Sequence, residues 1–370
     1  MLGHQVQGKM TEENISNSSY LSAVMTTTGN DEDQTTVTMT TSLSRGVAFY
    51  FQCLVVAIGF VGAAANGVIL YAMIVSKQHK KQFLIFNQNM LDLCSSLLLI
   101  YTFILRILNI RQTAVQTGVP GYLQCTLLFS GSLLWGATNG SIINLMSIAI
   151  ERYLKVVHPT RSKKVLRKSV IYSAAAFAWI GGYAYNITVV FSTSEMVDGV
   201  CYLFLMWSSR AAAIAHGIWY FVSFYVIVLS IFIFCYRRIL IVIRNQARVM
   251  ATHSGPGPST AQTNSNRIQA NVIKTMIFVS AFYVITFTPT MVYYPVNTIK
   301  PGRAATDTGR SIVLLCAFLY ITANPFIYAV KFDPVRRVLV KLVRLIPCKK
   351  SQPANESVDT AGTRADQKPN

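Results

Sequence analysis

The stretch AAAIAHGIWYFVSFYVIVLSIFIFCYRRIL, residues 211–240, decides the fold class of this chain. It is apolar over almost its whole length, and its first Lys or Arg is Arg237. About 20 apolar residues let a helix cross the hydrocarbon core of a bilayer, because each residue adds about 1.5 Å. The stretch therefore predicts a membrane-spanning helix.

Six further segments of the chain have the same character. The whole sequence is 52% hydrophobic and 13% charged, whereas about 25% of the residues in a typical soluble domain are charged. The alternating pattern of a membrane β-barrel is absent. The sequence therefore predicts an all-α membrane protein, a seven-transmembrane-helix bundle with spans at residues 47–74, 83–108, 121–150, 169–191, 211–240, 271–297 and 311–330.

The basic residues are divided unequally between the two sides of this bundle. Of the 33 Lys and Arg, 25 fall on the side of the C-terminal tail and eight on the other side. The positive-inside rule puts the richer side in the cytoplasm. We therefore expect a multi-pass protein of the plasma membrane with an extracellular N-terminus and a cytoplasmic C-terminus. The net charge of +19 is explained by contact with anionic lipid and indicates no nucleic-acid partner.

The segments that flank the spans complete a three-part organisation. Residues 1–46 are rich in Ser and Thr and predict an extracellular disordered tail, with glycosylation triplets at Asn14 and Asn17. Residues 47–346 form the helical domain, which ends in a short amphipathic eighth helix at 333–345. Residues 347–370 predict a disordered cytoplasmic tail. Cys348, beside two lysines, is a palmitoylation candidate, and an unmodified thiol is the alternative.

Two cysteines fall on the predicted outer side of the membrane. Cys125 lies near the start of the third span, and Cys201 lies in the loop after the fourth. Because the outer compartment is oxidising, we expect a disulfide between them. It would hold the loop over the mouth of the bundle.

Two acids, Asp92 and Glu151, lie in the membrane-length segments. A carboxylate at the centre of a spanning helix costs roughly 2.5–3.5 kcal/mol, so their presence indicates a use. Glu151 is followed by Arg152 and Tyr153 at the inner end of the third span. This triplet is the first candidate functional site.

Motifs in all seven spans resemble those of the rhodopsin-like (class A) G protein-coupled receptors, between about residues 47 and 346. Glu151-Arg152-Tyr153 resembles the acid-Arg-Tyr motif of the family, and Asn324-Pro325-Phe326-Ile327-Tyr328 resembles its seventh-helix motif. The other matching positions are Asn66, Asp92, Trp179, Tyr236, Ile239 and Pro289. The resemblance implies a receptor that responds to an extracellular ligand and activates a heterotrimeric G protein. Arrestin and receptor kinases are the further candidate partners.

The resemblance also implies a switch at the inner end of the bundle. Glu151 holds Arg152 at rest; on activation Arg152 meets Tyr236 and Tyr328, while the sixth helix swings outward about Pro289. Phe287 then acts as the aromatic lever in place of the usual tryptophan. Gln269 stands where many members carry an acid that braces the arginine, which predicts elevated basal signalling.

The resemblance suggests one candidate cofactor, a sodium ion. Members of the family can hold sodium at the positions of Asp92, Ser141 and Asn324, but Tyr320 replaces a usual polar neighbour. A polar network without an ion is the alternative.

Two further departures from the family pattern concern the shape of the helices. Val228 replaces the proline of the fifth helix and predicts a smaller bulge, and the position of Cys125 predicts an extra turn or a shifted start of the third helix.

The outer pocket implied by the resemblance is the least defined site. Leu134 replaces the aspartate that binds amines, and Phe318 replaces the lysine that binds retinal in opsins. An excess of bases in the outer loops favours a peptide or a small anionic or lipid-like ligand over an amine. Plain packing is the alternative for the aromatic members. The candidate positions are Leu134, Trp135, His216, Trp219, Tyr220, Tyr293, Tyr294 and Phe318.

A seven-helix transporter or channel without G protein coupling is the competing hypothesis. Such a protein would be expected to show internal repeats, interrupted helices in matched halves or more charge in the spans. The sequence shows no such repeat. Its five histidines are scattered, and no nucleophile–base set is apparent. We therefore expect that the protein is not an enzyme.

Overall fold

The computed structural model describes residues 31–108, 118–197, 200–202, 207–252, 260–299, 307–331 and 333–345. Within them, seven helices are long and apolar enough to cross a membrane, as predicted. We call them the first to the seventh helix. The fifth consists of the consecutive segments Arg210–Phe221, Val222–Val226 and Ile227–Thr252. The others are Asp31–Val75, Phe83–Ile107, Ser132–Val157, Lys168–Thr193, Thr260–Ile299 and Asp307–Lys331.

Smaller elements connect and follow these helices. Short helices lie at Gln78–Lys81, Gly118–Leu123 and Pro159–Val165, and a π-helical segment spans Gln124–Phe129. Strands Glu195–Val197 and Val200–Tyr202 form an antiparallel hairpin after the fourth helix. The seventh helix is followed by a helix at Asp333–Leu345. On that helix Val335 is buried, whereas Arg336, Arg337 and Lys341 are exposed.

The distribution of side chains is that of a membrane protein. Large apolar side chains face outward; Phe177, Ile180 and Ile285 are each more than 60% exposed. Polar side chains lie inside the bundle, where Asn66 and Asp92 are fully buried. The outer surface is therefore suited to contact with lipid rather than with water. Polar groups inside the bundle must form their hydrogen bonds within the protein.

The first helix begins earlier than predicted. Its backbone is helical from Asp31, whereas the sequence predicts a disordered tail up to residue 46. Adding a residue to an existing helix gains a hydrogen bond without the cost of nucleation. The acidic run at 31–33 also falls in the first turn, where negative charge is favourable. The helix can therefore continue beyond the apolar run.

The predicted third span, residues 121–150, is interrupted just before the third helix begins at Ser132, which corrects the prediction of one continuous span. The π-helical segment ends at Phe129, and Gly131 has φ 72°, a left-handed conformation that glycine adopts without strain. Neighbouring hydroxyls satisfy backbone groups at the break. Ser130 Oγ accepts from Ser132 N at 2.9 Å, and both serines donate to Thr126 O. The expectation of an irregular start thus has a structural basis.

The fifth helix contains a π-helical segment at Val222–Val226. The prediction that it bulges less because Val228 replaces a proline is therefore wrong. The hydroxyl of Tyr283 on the sixth helix donates to the carbonyl of Phe224, inside this segment. A partner from another helix can stabilise a widened turn in place of a proline, because the freed carbonyl remains hydrogen-bonded.

The third and fourth helices approach each other closely through glycines. A Cβ atom built on Gly182 would lie 2.4 Å from the carbonyl oxygen of Gly136 and 2.4 Å from the nitrogen of Gly140. Small residues permit such an approach of two backbones in a membrane. This contact fixes the third helix, which carries both the switch motif and part of the buried polar network.

Candidate functional site

Arg152 lies between a carboxylate and an amide at one end of the bundle, which we call the arginine end. It is 6% exposed, and Glu151 is 4% exposed. Its Nη2 lies 3.3 Å from Glu151 Oε2 and donates to Oε1 of Gln82. Lys155 Nζ lies 2.5 Å from the other oxygen of Glu151. Glu151 therefore pairs with two cations, and Gln82 provides a second anchor for the guanidinium.

Gln82 is a site residue that the sequence reasoning missed. It lies between the short helix Gln78–Lys81 and the second helix, with φ −128° and ψ 55°. A single neutral residue in a loop gives no charge or periodicity signal. Its position directly before an apolar span was the one available indication.

The two tyrosines of the predicted switch do not bond to Arg152 in this structure. Tyr236 shares a hydrogen bond of 2.9 Å with Ser280 on the sixth helix. The Tyr328 hydroxyl is buried and has no hydrogen-bond partner among the described residues. The hydroxyl of Tyr153, the third residue of the triplet, lies 3.2 Å from Nε2 of His158. The arginine thus has its Glu151 and Gln82 partners, while both tyrosine hydroxyls are separate from it.

Asp92 is the centre of a buried polar network. Its Oδ2 accepts from Asn324 Nδ2 at 2.7 Å, and its Oδ1 accepts from Ser141 Oγ at 2.7 Å. Gln88 donates to Asp92 Oδ1 at 3.4 Å and also to Ser141. The hydroxyl of Tyr320 lies 3.0 Å from Ser141 Oγ. Second, third and seventh helices therefore meet at one carboxylate.

The groups around Asp92 do not fit a sodium ion. Sodium is a hard cation that needs oxygen ligands, but Gln88 and Asn324 present amide N–H groups to the carboxylate. Asn324 Oδ1 is buried without a hydrogen-bond partner in the described structure, yet it belongs to the amide that already donates to Asp92. Tyr320 does not remove polarity from the site, because its hydroxyl joins the network. The arrangement favours the alternative of a network without an ion.

Phe287 connects the sixth helix to this network. It is fully buried, and its ring centroid lies 5.0 Å from that of Tyr283 and 5.3 Å from that of Tyr320. Pro289 lies two residues further along the sixth helix, and Pro325 follows Asn324 in the seventh. A movement of Phe287 would therefore press on Tyr320, whose hydroxyl touches Ser141.

The candidate pocket residues divide into two groups toward the other end of the bundle, which we call the hairpin end. In the first group, Phe318 is 2% exposed and Leu134 is 3% exposed. Phe318 packs against Phe103 and Trp135, with ring centroids 5.5 and 6.1 Å apart. These residues form a packed apolar floor.

The second group combines aromatic rings with polar atoms. His216 Nε2 lies 2.8 Å from the hydroxyl of Tyr185, and its ring lies 5.0 Å from that of Trp207. The Tyr220 hydroxyl donates to Asn139 Oδ1 at 3.1 Å. Asn139 Nδ2 is buried without a hydrogen-bond partner among the described groups. Asn139, Tyr185 and Trp207 were absent from the predicted pocket.

Trp219 does not belong to this pocket, and its prediction as a facing residue is corrected. It is 62% exposed on the outer surface of the bundle. Successive residues of a helix differ by about 100° in direction, so an inward Tyr220 turns Trp219 toward lipid. Tyr294 is 40% exposed and Tyr293 is half-buried, with their rings 5.6 Å apart.

Cys125 is disulfide-bonded. The side chain of Cys201 lies outside the described residues, although its backbone pairs with Met196 in the hairpin. The pairing of these two cysteines therefore stays a prediction. Asn14, Asn17 and Cys348 also lie outside the described residues. The described free cysteines are Cys53, Cys94, Cys235 and Cys316.

Comparison with known proteins identifies the family of this chain. A sequence model described as "7 transmembrane receptor (rhodopsin family)" matches residues 65–328. The chain belongs to the rhodopsin family of seven-transmembrane receptors. The family consists of signalling receptors and not of enzymes, in agreement with the prediction.

Individual relatives of this receptor are distant. Melanopsin of Branchiostoma belcheri is 22% identical over 306 residues, covering 79% of this chain and 41% of the relative. Neuropeptide FF receptor 1 of Homo sapiens is 24% identical over 240 residues, covering 60% of this chain and 54% of the relative. The chain spans about half the length of these curated relatives. A crystal structure of squid rhodopsin shares the fold, with a TM-score of 0.66, 18% identity, and coverage of 81% of this receptor and 86% of that chain.

Proposed function

We propose that this receptor converts the binding of an extracellular ligand into activation of a heterotrimeric G protein. The observation that carries the proposal is the pairing of Arg152 with Glu151 and Gln82, with Tyr236 and Tyr328 both unbonded to it. This is the partner set expected of a resting switch. A guanidinium remains charged and has five donors, so a lost partner must be replaced.

Activation is an exchange of partners at the arginine end. When Glu151 is protonated or displaced, Arg152 turns to Tyr236 and Tyr328, the second of which has a hydroxyl without a partner among the described groups. Tyr236 must leave Ser280, which loosens the contact between the fifth and sixth helices. The sixth helix then moves outward about Pro289. The resulting cleft accepts an amphipathic helix of the G protein.

The orientation of the receptor follows the distribution of charge. The arginine end carries the short helix Pro159–Val165, with exposed Arg161, Lys163 and Lys164. We assign this end to the cytoplasm of a cell with the receptor in its plasma membrane. The hairpin end and the disulfide-bonded Cys125 then lie outside, in the oxidising compartment. Arrestin and receptor kinases would meet the same cytoplasmic face.

The ligand is proposed to be a peptide. Neuropeptide FF receptor 1 and a QRFP-like peptide receptor of Branchiostoma floridae are named for peptides and are 24% and 25% identical to this chain. Melanopsins are equally distant relatives. However, Phe318 is packed in the floor where the opsin resemblance places the retinal lysine, and Leu134 offers no charge to an amine. His216, Tyr185 and Asn139 supply polar contacts above this floor.

Substitution of Arg152 separates this proposal from transport. Arg152→Ala should remove G protein activation, measured with a panel of subunit-dissociation sensors, while surface delivery is retained. Lys155→Ala is the matched control, because Lys155 shares Glu151 but is not the proposed coupling group. Signalling by Arg152→Ala equal to that of the wild type would contradict the proposal. A peptide library applied to the same sensors tests the ligand class.

A further inference from the structure

A groove runs between the fifth and sixth helices on the outer surface of the bundle. Its volume is about 770 Å³, within the range of small-molecule sites. Its rim includes Ile233 and Ile285, which are 60% and 69% exposed. The groove therefore opens toward lipid and is separate from the ligand pocket at the hairpin end.

The two walls of the groove are regular helix faces. On the fifth helix the lining positions include Leu229, Ile233, Arg237, Ile241 and Arg244, which recur at helical spacing. On the sixth helix they run from Ile277 to Ile285. The apolar stretch from Leu229 to Arg237 is about 12 Å long at about 1.5 Å per residue. One end of the groove is thus apolar and the other carries two guanidinium groups.

Neither Arg237 nor Arg244 has an ion-pair partner among the described residues, and both are exposed. The sequence itself has no Asp or Glu between Asp198 and Asp307. The fifth and sixth helices therefore supply no internal counterion for this end of the groove. An external anion is the complementary partner.

We propose that this groove binds an anionic phospholipid of the cytoplasmic leaflet. Its acyl chain lies along the apolar walls, and its headgroup lies on Arg237 and Arg244. The charge of the cytoplasmic leaflet attracts basic segments near its surface. The polarity of the groove, which is apolar toward one end and basic toward the other, matches a lipid that enters from that leaflet.

The floor of the groove links this lipid to the switch. Phe232, Tyr236 and Ser280 line it and are all less than 10% exposed. Tyr236 and Ser280 join the two helices through their hydrogen bond of 2.9 Å. A bound acyl chain therefore covers the bond that the proposed activation breaks, and the lipid is a regulator of the resting state.

Lipid retention tests the headgroup contact. The full chain is purified in detergent with equal amounts of phosphatidylserine and phosphatidylcholine, and the retained lipids are counted by native mass spectrometry. The wild type should retain phosphatidylserine preferentially. Arg237→Gln with Arg244→Gln should lower its retention by about fivefold per arginine, since each base near an anionic membrane contributes roughly that factor. Arg238→Gln, an exposed neighbour that does not line the groove, should retain it.

A second variant tests the acyl-chain position. Ala281 lines the groove and is exposed, so Ala281→Phe should fill it and displace the lipid. Ala176→Phe, at an exposed alanine of the fourth helix, is the matched control. Equal retention of both lipids by the wild type, or full retention of phosphatidylserine by the paired arginine variant or by Ala281→Phe, would overturn the inference. The leaflet rests on the proposed orientation, and the regulatory role rests on the proposed switch. The retention experiment measures lipid binding alone, so its failure leaves the Arg152→Ala test unaffected.

Discussion

At the scale of single residues, Gln82 is the second anchor of Arg152, beside Glu151. The sequence predicts elevated basal signalling because Gln269 replaces an acid, but Gln269 has no described side chain and Gln82 contacts the guanidinium instead. We expect Gln82→Ala to raise ligand-independent signalling. A hydrogen bond to a charged group contributes about 1.5 kcal/mol or more, which is roughly tenfold in the equilibrium between resting and active states.

The measurement for this prediction is agonist-free second-messenger output at matched surface expression. Gln82→Glu is the paired variant, because a carboxylate strengthens the contact with the guanidinium and should lower the output. Gln78→Ala, a half-buried glutamine of the preceding short helix, is the control. If Gln82→Ala and Gln78→Ala have the same output, Gln82 does not hold the switch.

The hydrogen bonds around Asp92 predict a receptor that does not respond to sodium. The melting temperature of the purified wild type should be the same in sodium chloride and in choline chloride. Gln88→Ala removes an amide donor from Asp92 and Ser141 and leaves space beside the carboxylate. This variant should be less stable by about 1–3 kcal/mol, because buried polar groups lose a partner, and its melting temperature should rise with sodium.

A sodium-dependent melting temperature of the wild type would contradict this interpretation of the site. An absence of sodium dependence in Gln88→Ala would show that the amide alone does not determine the difference. Tyr320→Phe separates the contribution of the Tyr320 hydroxyl from that of the Gln88 amide. This variant keeps the ring against Phe287 but loses the hydroxyl near Ser141.

At the scale of the helices, the contact between the third and fourth is the most sensitive to substitution. Gly182→Ala places a methyl group 2.4 Å from backbone atoms of Gly136 and Gly140, so the helices must separate. Overpacking of this kind costs about 1–3 kcal/mol or more. We expect a lower melting temperature and less monodisperse receptor in size-exclusion chromatography.

Gly217→Ala provides the control for this prediction. Gly217 lies in the fifth helix, and a Cβ atom there meets nothing within 4 Å. The substitution should be neutral or slightly stabilising, because alanine favours the helix over glycine. Equal melting temperatures of the two variants would mean that the third and fourth helices can adjust without cost.

The ends of a helix could be predicted from its sequence, whereas the irregularities of its backbone could not. The second helix was predicted at 83–108 and lies at Phe83–Ile107, because an apolar run of bilayer length determines both ends. The break at Gly131 and the π-helical segment at Val222–Val226 were not located. At the break, the hydroxyl of Ser130 accepts a hydrogen bond from a backbone N–H, and in the π-helical segment a backbone carbonyl accepts one from the hydroxyl of Tyr283. Such partners are visible only after the helices are placed.

At the scale of the whole molecule, the distribution of charge predicts the side on which the N-terminus lies. An epitope tag at residue 1 should be detected by antibody on intact cells. Peptide N-glycosidase should lower the apparent mass of the wild type, and Asn14→Gln with Asn17→Gln should abolish this shift. Detection of the tag solely after permeabilisation would reverse the proposed orientation.

The family of the receptor was predictable from motif residues, whereas the shape of its sites was not. Asp92, Glu151 and the adjacent Arg152 were identified because charged groups are unusual in membrane-spanning segments, and Asn324 was identified from its motif resemblance. Their partners Gln82 and Gln88 are ordinary polar residues on other elements, so sequence alone gave no reason to select them. The outward direction of Trp219 likewise depends on the rotation of the fifth helix, which composition does not determine.

The interruption at Gly131 has a mechanical consequence. A continuous helix would transmit a pull on Cys125 as a rigid rod, directly to the arginine end. Here the rod is divided, so a strain applied near Cys125 bends the joint first. A binder that only pulls on the loop after the fourth helix, such as an antibody, should therefore cause no signalling. A binder that inserts between the helices, on the far side of the joint from Cys125, should cause signalling.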